Sequence, residues 1–304
     1  MENLKVSEFL AALPKDEVIY YRANPGNAGD ALIAAGAFIL FRQAGLNVKI
    51  LDLKDFDASG KIVVYAGGGN LVGIYPEARE FFERFHETAK MLILLPHTVA
   101  GNEILLDKLG ENVILFAREK VTHEHLIKHA SGAKVYLDKD LAFNIQPSDF
   151  LNRKNIGLIS VLVRKIFYRL QGKSESFSRL PQPALMLKNT WFELKFKLLR
   201  NTDVGNFFRE DVERALKVVP DDNADLSVIY EYGTRNDAIT DYTTSRLMKF
   251  ISRFSKVRTD RLHVCIAAAL MGKKVEFFPN SYFKCRAVYE FSLRDDYKNV
   301  EWKD

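Results

Sequence analysis

Apolar runs of two different lengths alternate along the first half of the chain. Short runs such as "EVIYYRA" (17–23) and "KIVVYAGGG" (61–69) predict strands, the second leading into a glycine loop. The longer runs "ALIAAGAFILFRQAG" (31–45) and "PEAREFFERFHETA" (76–89) predict an apolar and an amphipathic helix. Further strands are predicted at 47–53, 91–99, 112–119 and 134–143. Apolar strands that alternate with helices predict a doubly wound α/β domain over 1–147, with a parallel sheet covered on both faces.

The pattern changes after residue 147. Between Arg153 and Arg200 the chain has eleven lysines and arginines but two acids, interleaved with aromatic and aliphatic residues. The stretch "QGKSESFSRLPQP" within it predicts a mobile loop. A second α/β unit then follows, with strands at 204–211, 225–233 and 274–279, and helices near 238–253, 262–270 and 281–295. We therefore predict an N-terminal domain (1–147), a basic and aromatic linker or membrane-facing segment (148–203), and a C-terminal domain (204–304).

Composition and charge argue against a disulfide-rich, secreted or membrane-spanning protein, but they do not identify the molecule that the protein binds. The net charge of +5 suits an anionic small molecule, a membrane surface or nucleic acid. Two cysteines are too few for a disulfide framework or a cysteine metal site. The amino-terminal stretch does not resemble a secretory signal, and no run has the length of a membrane span, so we expect a cytoplasmic protein.

Two glycine-containing loops follow predicted strands, where open parallel sheets bind ligands. The first, "NPGNAGD" (24–30), precedes a helix whose backbone N–H groups favour an anion. The second, "AGGGNL" (66–71), lets a ligand approach the backbone closely. Tight turns, one of them with Asp30 as an N-cap, are the alternative. The loops lack the nucleotide-binding glycine pattern and the Walker lysine. The candidate ligand-binding residues here are Asn27, Gly29, Asp30, Gly68, Gly69 and Asn70.

Charged or titratable side chains also stand at the ends of apolar segments. Arg118 ends a predicted strand, where a salt bridge with Glu119 or Glu124 is the alternative to a ligand. Arg261 and His263 open the apolar helix after "VRTD". An arginine fork suits phosphate or carboxylate, and an imidazole beside an anion could donate a proton near neutral pH. A single histidine is more often structural, but an R-x-H pair at a helix entrance favours function.

The remaining histidines give weaker signals. His97 follows a strand in "LLPHT" and is expected to face the ligand cleft. His123, His125 and His129 share one predicted helix, which we interpret as a solvated face because a metal site needs more ligands. No metal is therefore expected.

Taken together, these motifs resemble the polysaccharide pyruvyl transferases. The resemblance rests on "NAGD", "GGGNL", "FARE", "DLAF" and "TDRLHVCIAAALMGKKVEFFPNSYFK", in this order over about 24–290. It implies a GT-B-like architecture, with two Rossmann-like domains facing a cleft. It also implies transfer of the pyruvyl group of phosphoenolpyruvate onto two sugar hydroxyls as a cyclic ketal, with Arg118, Arg261 and His263 binding the donor. The family's glutamine after "LLP" is His97 here.

The implied chemistry matches the residue types. Two arginines suit the carboxylate and phosphate of the donor, His263 is the expected acid, and Asp30 is a base for the acceptor hydroxyl. No cofactor is needed beyond phosphoenolpyruvate as co-substrate. The sugar acceptor is expected to be lipid-linked, and segment 153–200 is expected to contact an anionic membrane surface, with a solvated linker as the alternative.

Two other functions remain open. A GT-B glycosyltransferase would use a nucleotide-sugar donor and would need a ribose-binding carboxylate in the second domain. A basic nucleic-acid-binding module is disfavoured, since the basic excess is confined to one segment and no recognised motif is present.

Overall fold

A computed structural model describes residues 4–154, 156–199 and 203–304 and contains two parallel β-sheets. This confirms the predicted α/β class with Rossmann-like sheets. The chain groups into two compact units. The first comprises the chain up to Asn24, Gly36–Asn144 and Arg286–Asp296, and the second comprises Pro25–Ala35, Ile145–Cys285 and Tyr297–Asp304. The GT-B arrangement and the division at 147 and 203 stay predictions.

Up to residue 144 the helices and strands follow one another largely as the apolar pattern predicts, except that β2, β3 and β4 come in succession. In chain order they are α1 (Val6–Ala12), β1 (Val18–Arg22), α2 (Ala28–Gln43), β2 (Asn47–Ile50), β3 (Ile62–Tyr65), β4 (Gly68–Leu71), α3 (Glu77–Phe85), β5 (Met91–Val99), α4 (Glu103–Leu106), β6 (Val113–Ala117), α5 (Lys120–His129), β7 (Lys134–Leu137) and a 3₁₀ helix (Leu141–Asn144).

The first sheet is parallel, with strand order β2-β1-β3-β5-β6-β7, and β4 pairs with β5. Its strand order reverses direction between β1 and β3, the position where α/β sheets place ligands. There the Asn24 side chain donates a 2.9 Å hydrogen bond to the Gly67 carbonyl. One face is covered by α3, whose Phe81, Phe82 and Phe85 are buried in the core cluster. Each such side chain contributes roughly 2–3 kcal/mol by leaving water.

From residue 147 onward the chain is mainly helical before the second sheet. Its elements are α6 (Pro147–Leu151), α7 (Leu158–Leu170), α8 (Ser174–Ser178), α9 (Pro183–Leu199), β8 (Val204–Asn206), α10 (Leu226–Ile229), α11 (Asp237–Ile251), β9 (Lys256–Thr259), α12 (Leu262–Leu270), β10 (Lys274–Phe277), α13 (Lys284–Val288), a π-helical turn (Tyr289–Leu293) and β11 (Val300–Trp302).

The second sheet is also parallel, in the order β11-β10-β9-β8. Aromatic residues fill its core, with the Phe207 and Phe254 ring centroids 5.0 Å apart. Helix α12 lies against β9 and β10, and all its residues from Val264 to Ala269 are buried. This confirms the apolar helix predicted there. Within the described ranges, no helix has the length and apolar content needed to cross a bilayer.

Four local predictions were wrong, each for a physical reason. The strand expected at 225–233 is the short helix α10, because a short apolar run does not distinguish the two conformations. The loop expected in "QGKSESFSRLPQP" contains α8, whose Phe177 ring packs 3.9 Å from the Lys165 ammonium.

The other two wrong predictions lie beside the first sheet. The glycine loop "AGGGNL" contains strand β4, which pairs with β5 from Gly68 opposite His97 to Leu71 opposite Val99. The strand expected at 134–143 ends at Leu137, and "DLAF" instead leads into the 3₁₀ helix. There the Asp140 carboxylate accepts the Ala142 amide at 2.9 Å.

Candidate functional site

The first turn of α12 presents backbone N–H groups at the entrance of a buried helix. Arg261 occupies the N-cap position, and its side chain makes no hydrogen bond to that turn. Its own amide is held by the Thr259 hydroxyl at 3.0 Å. A helix start that lacks a side-chain cap attracts an anion, because its first amides and its dipole both favour negative charge.

The first turn of α2 carries a reciprocal cap. The Asn27 side-chain oxygen accepts the Gly29 amide at 2.8 Å, and the Asp30 carboxylate accepts the Asn27 amide at 3.0 Å. This arrangement resembles a capping box, with Asn27 at the N-cap and Asp30 three residues later. Both side chains therefore help to start the helix, and Asp30 retains a half-buried carboxylate.

These two helix starts meet within the second unit. A Cβ atom placed on Gly29 would lie 2.8 Å from Nδ1 of His263 and 3.3 Å from its Cβ. The His263 imidazole therefore packs directly on the first turn of α2, in space that only glycine leaves open. His263 is half-buried, so its ring is reachable from solvent. The structure thus brings Asn27, Gly29, Asp30 and His263 together, and we call these four residues the helix-start site.

Arg261 is buried and engaged in an internal ion-pair network. Its guanidinium contacts both carboxylate oxygens of Asp225, with Nε 3.0 Å from Oδ1, and its Nη1 lies 2.8 Å from Asp211. The predicted direct contact with a donor would require Arg261 to share or exchange these carboxylates. The arrangement found fixes the residue that immediately precedes α12.

Asp260 adjoins this network and is fully buried. Its carboxylate accepts the Arg209 amide at 2.8 Å. Burial raises the pKa of Asp260 to about 6, although that hydrogen bond and the charges of Arg209 and Arg261 favour the ionised form. A carboxyl group with a pKa of about 6 therefore lies three residues before His263 in the sequence.

Arg118 lies in the first unit and joins the ends of three strands. It follows β6, its Nε donates to the Thr98 hydroxyl at 2.8 Å, and its Nη1 pairs with Asp140 at 2.7 Å. Arg118 is 1% exposed and Asp140 is 0% exposed. Of the alternatives raised from the sequence, a salt bridge is present, but its partner is Asp140 and not Glu119 or Glu124.

His97 is fully buried and holds β4 in place. Its Nε2 accepts the Asn70 and Leu71 amides at 3.0 and 3.2 Å, and Nδ1 lies 3.1 Å from the Ala66 carbonyl. A carbonyl only accepts, so the proton is on Nδ1 and the ring is neutral. His97 thus holds in place the segment that contains Gly68, Gly69 and Asn70, which were predicted to bind a ligand.

Glu231 is a neighbour of Asp30 that the sequence analysis missed. Desolvation and the negative charge of Asp30 raise the pKa of Glu231, while Lys188 opposes the change. The segment was predicted to be a strand, so no pattern placed its carboxylate near α2. A second acid therefore lies within electrostatic reach of Asp30.

Glu103, His125 and His129 form the group best suited to a metal ion in the described part of the chain. One ligand atom from each lies within 4.8 Å of the others, and Nε2 of His125 lies 2.9 Å from the Gly101 carbonyl. The sequence pattern placed only the histidines on one helix, because Glu103 lies on the separate helix α4. We call these three residues the histidine–glutamate cluster.

Comparison with known proteins supports the resemblance found in the sequence. Residues 27–282 match the polysaccharide pyruvyl transferase family. EpsO of Bacillus subtilis (strain 168), provisionally described as a pyruvyl transferase, is 24% identical over 92% of this chain and 87% of its own length. A crystal structure of a functionally uncharacterised protein from Klebsiella pneumoniae subsp. pneumoniae NTUH-K2044 is similar, with a TM-score of 0.72 and 25% identity over 95% of this chain and 93% of that one. This chain therefore belongs to the polysaccharide pyruvyl transferase family.

Proposed function

We propose that the protein transfers the pyruvyl group of phosphoenolpyruvate onto two hydroxyls of a sugar, forming a cyclic ketal in polysaccharide synthesis. The observation that carries this proposal is the packing of His263 on Gly29. It puts a titratable ring at the meeting point of two helix starts, in a chain of this family. Such a site suits a small dianion, because both helix dipoles favour negative charge.

The donor contacts follow from the chemistry of phosphoenolpyruvate. We propose that the amides at the start of α12 and the His263 imidazole receive its phosphate, since His263 belongs to that first turn and its ring packs on Gly29. Bound phosphate would favour the protonated imidazole and so prepare it as an acid. Direct contacts from Arg118 and Arg261 stay predictions. Each guanidinium would have to share its present carboxylate partner with the donor.

The reaction moves two protons from the sugar hydroxyls: one goes to the methylene carbon and the other to the departing phosphate. We propose that His263 acts as the acid: either it protonates the methylene carbon, which becomes the methyl group, or it assists departure of the phosphate. The first sugar hydroxyl adds to the neighbouring carbon, and the second displaces phosphate from it and closes the ketal. Asp30 is the proposed base for a hydroxyl, with Glu231 beside it as a second proton acceptor.

The acceptor is proposed to be a lipid-linked sugar at the inner face of the cell membrane. Family membership supports a sugar or polysaccharide acceptor. The lipid link rests on the basic, apolar segment at 153–200, which suits a membrane–water interface.

Donor binding is the first test. Isothermal titration calorimetry should detect phosphoenolpyruvate binding to the wild-type protein, and His263→Ala should weaken it about tenfold or more, the loss of one charge-assisted hydrogen bond. His123→Ala is the matched control, because His123 is also half-buried but lies on α5, in the first unit. Equal donor affinity in all three proteins would contradict the proposed site.

A glycosyltransferase that uses a nucleotide sugar is the alternative, since the same helix starts could bind a diphosphate. Thermal-shift measurements with phosphoenolpyruvate and with uridine or guanosine diphosphate sugars separate the two functions. Stabilisation by the nucleotide sugars alone would favour the alternative.

A further inference from the structure

The largest concentration of exposed apolar side chains lies on α7, α8 and α9. Of the eighteen large apolar residues exposed in the described part of the chain, ten fall between residues 159 and 194. The other eight are scattered over the remaining chain. Patches of this kind mark interaction surfaces, whereas single exposed apolar residues need no explanation. We call the ten residues the apolar surface; they are Ile159, Leu162, Val163, Ile166, Phe167, Leu170, Phe177, Leu187, Trp191 and Leu194.

Helical spacing puts the exposed residues of each helix on one stripe. On α7 they recur every three or four positions from Ile159, which is 78% exposed, to Leu170, which is 82% exposed. Val161, on the opposite side of that helix, is the buried residue that attaches it to the protein. On α9, Leu187, Trp191 and Leu194 follow the same spacing. Since α7 contacts both α8 and α9, the stripes belong to neighbouring helices.

Basic residues border these stripes, and acidic residues are almost absent. The exposed lysines and arginines of this region are Arg164, Arg169, Lys173, Arg179, Lys188, Lys195 and Lys197. Of the two acids, Glu193 is turned to other partners: it accepts a 3.0 Å hydrogen bond from Tyr230 and pairs with Arg246 and Arg253. Glu175 alone remains an exposed acid among these helices. The helices that carry the apolar surface are therefore rich in exposed positive charge, although Arg179 pairs with Asp237 at 2.8 Å.

We infer that the apolar surface docks onto an anionic phospholipid bilayer, with α7 and α9 lying in the plane of the interface. Apolar stripes bearing tryptophan and phenylalanine and bordered by lysine and arginine are typical of interfacial helices. Each basic residue near an anionic leaflet adds electrostatic attraction. A second copy of the chain fits less well, because a symmetric dimer through this surface would bring two positive borders together. The inference extends the lipid-linked acceptor of the proposed function to a defined surface.

Vesicle flotation tests the inference with the full chain. We expect the protein to float with vesicles of phosphatidylcholine and phosphatidylglycerol (7:3), and to float at least tenfold less with phosphatidylcholine alone or at high salt. Ile166→Glu with Leu170→Glu should reduce flotation at least tenfold. Ile104→Glu should leave it unchanged, because Ile104 is 80% exposed but lies on α4, outside the apolar surface. In a Trp302→Phe background, Trp191 fluorescence should shift to shorter wavelength on binding.

Several outcomes would overturn the inference. The first is no flotation with any vesicle, and the second is equal flotation with neutral and anionic vesicles. The third is a loss of flotation in Ile104→Glu as large as that in the double glutamate variant. A concentration-dependent dimer in analytical ultracentrifugation that the double glutamate variant abolishes would assign the surface to a second copy instead. Failure of this inference is distinguishable from failure of the proposed function. The double variant should still bind phosphoenolpyruvate, and His263→Ala should still float.

Discussion

Replacing Gly29 with alanine should weaken phosphoenolpyruvate binding while leaving the protein folded. The added methyl group would lie 2.8 Å from Nδ1 of His263, closer than real Cβ contacts, so the imidazole must move. Alanine in a helix is itself up to about 1 kcal/mol more favourable than glycine, which offsets the crowding in the unfolding equilibrium. Displacing His263 should remove one charge-assisted hydrogen bond to the donor, roughly 1.5–3 kcal/mol. The expected loss of affinity is about 10- to 150-fold.

Calorimetric titration and urea denaturation of the same samples measure the two effects separately. Gly73→Ala is the control, because a Cβ there meets nothing within 4 Å. In a His263→Ala background, Gly29→Ala should have a smaller effect on affinity, since the contact with the ring is absent and only the 2.9 Å approach of the added methyl to the Asn27 side-chain oxygen remains. Wild-type affinity in Gly29→Ala, or an equal loss with and without His263, would refute the reasoning.

Four further predictions concern the charged and polar residues around the two sheets. Compared with the wild type, Asp260→Asn should be more favourable to stability at pH 7.5 than at pH 4, as urea denaturation at both pH values would reveal. Folding raises the pKa of Asp260 from 3.8 to about 6, so the wild type loses up to about 3 kcal/mol of unfolding free energy as the pH rises through that range. Arg118→Met should cost about 3–5 kcal/mol of unfolding free energy, and adding Asp140→Leu should recover much of it, because the single variant removes the cation that pairs with a buried carboxylate. His97→Ala should cost about 2–5 kcal/mol in the same denaturation assay, since it leaves two strand amides without their acceptor; an unchanged midpoint would contradict this role. Chelation with EDTA should leave phosphoenolpyruvate binding unchanged, and a loss reversed by added zinc would instead assign an ion to the histidine–glutamate cluster.

The order of strands and helices was predictable because continuous apolar strands alternate with helices. The burial of α12 was predictable for a similar reason, as its sequence is apolar on every side. The short segments were not predictable. A helix as brief as α10 and a strand as glycine-rich as β4 depend on tertiary partners such as the His97 ring. Local pattern carries no information about those partners.

The candidate site likewise contains residues that were predictable from the sequence and others that depend on tertiary contacts. Sequence motifs selected Gly29, Asp30 and His263, and the structure brings them together because two helix starts converge. The partners of Arg118 and Arg261 were not predicted, because Asp140 and Asp225 are distant in the sequence from the arginines they bind. Glu231 was missed for the same reason.

A crystal structure of the protein with phosphoenolpyruvate tests most directly whether the donor binds at the helix-start site. Donor oxygens should lie within hydrogen-bond distance of His263 and of the first-turn amides of α12. Donor density elsewhere on the protein, with the His263 ring still packed on Gly29 and contacting no ligand atom, would contradict this prediction.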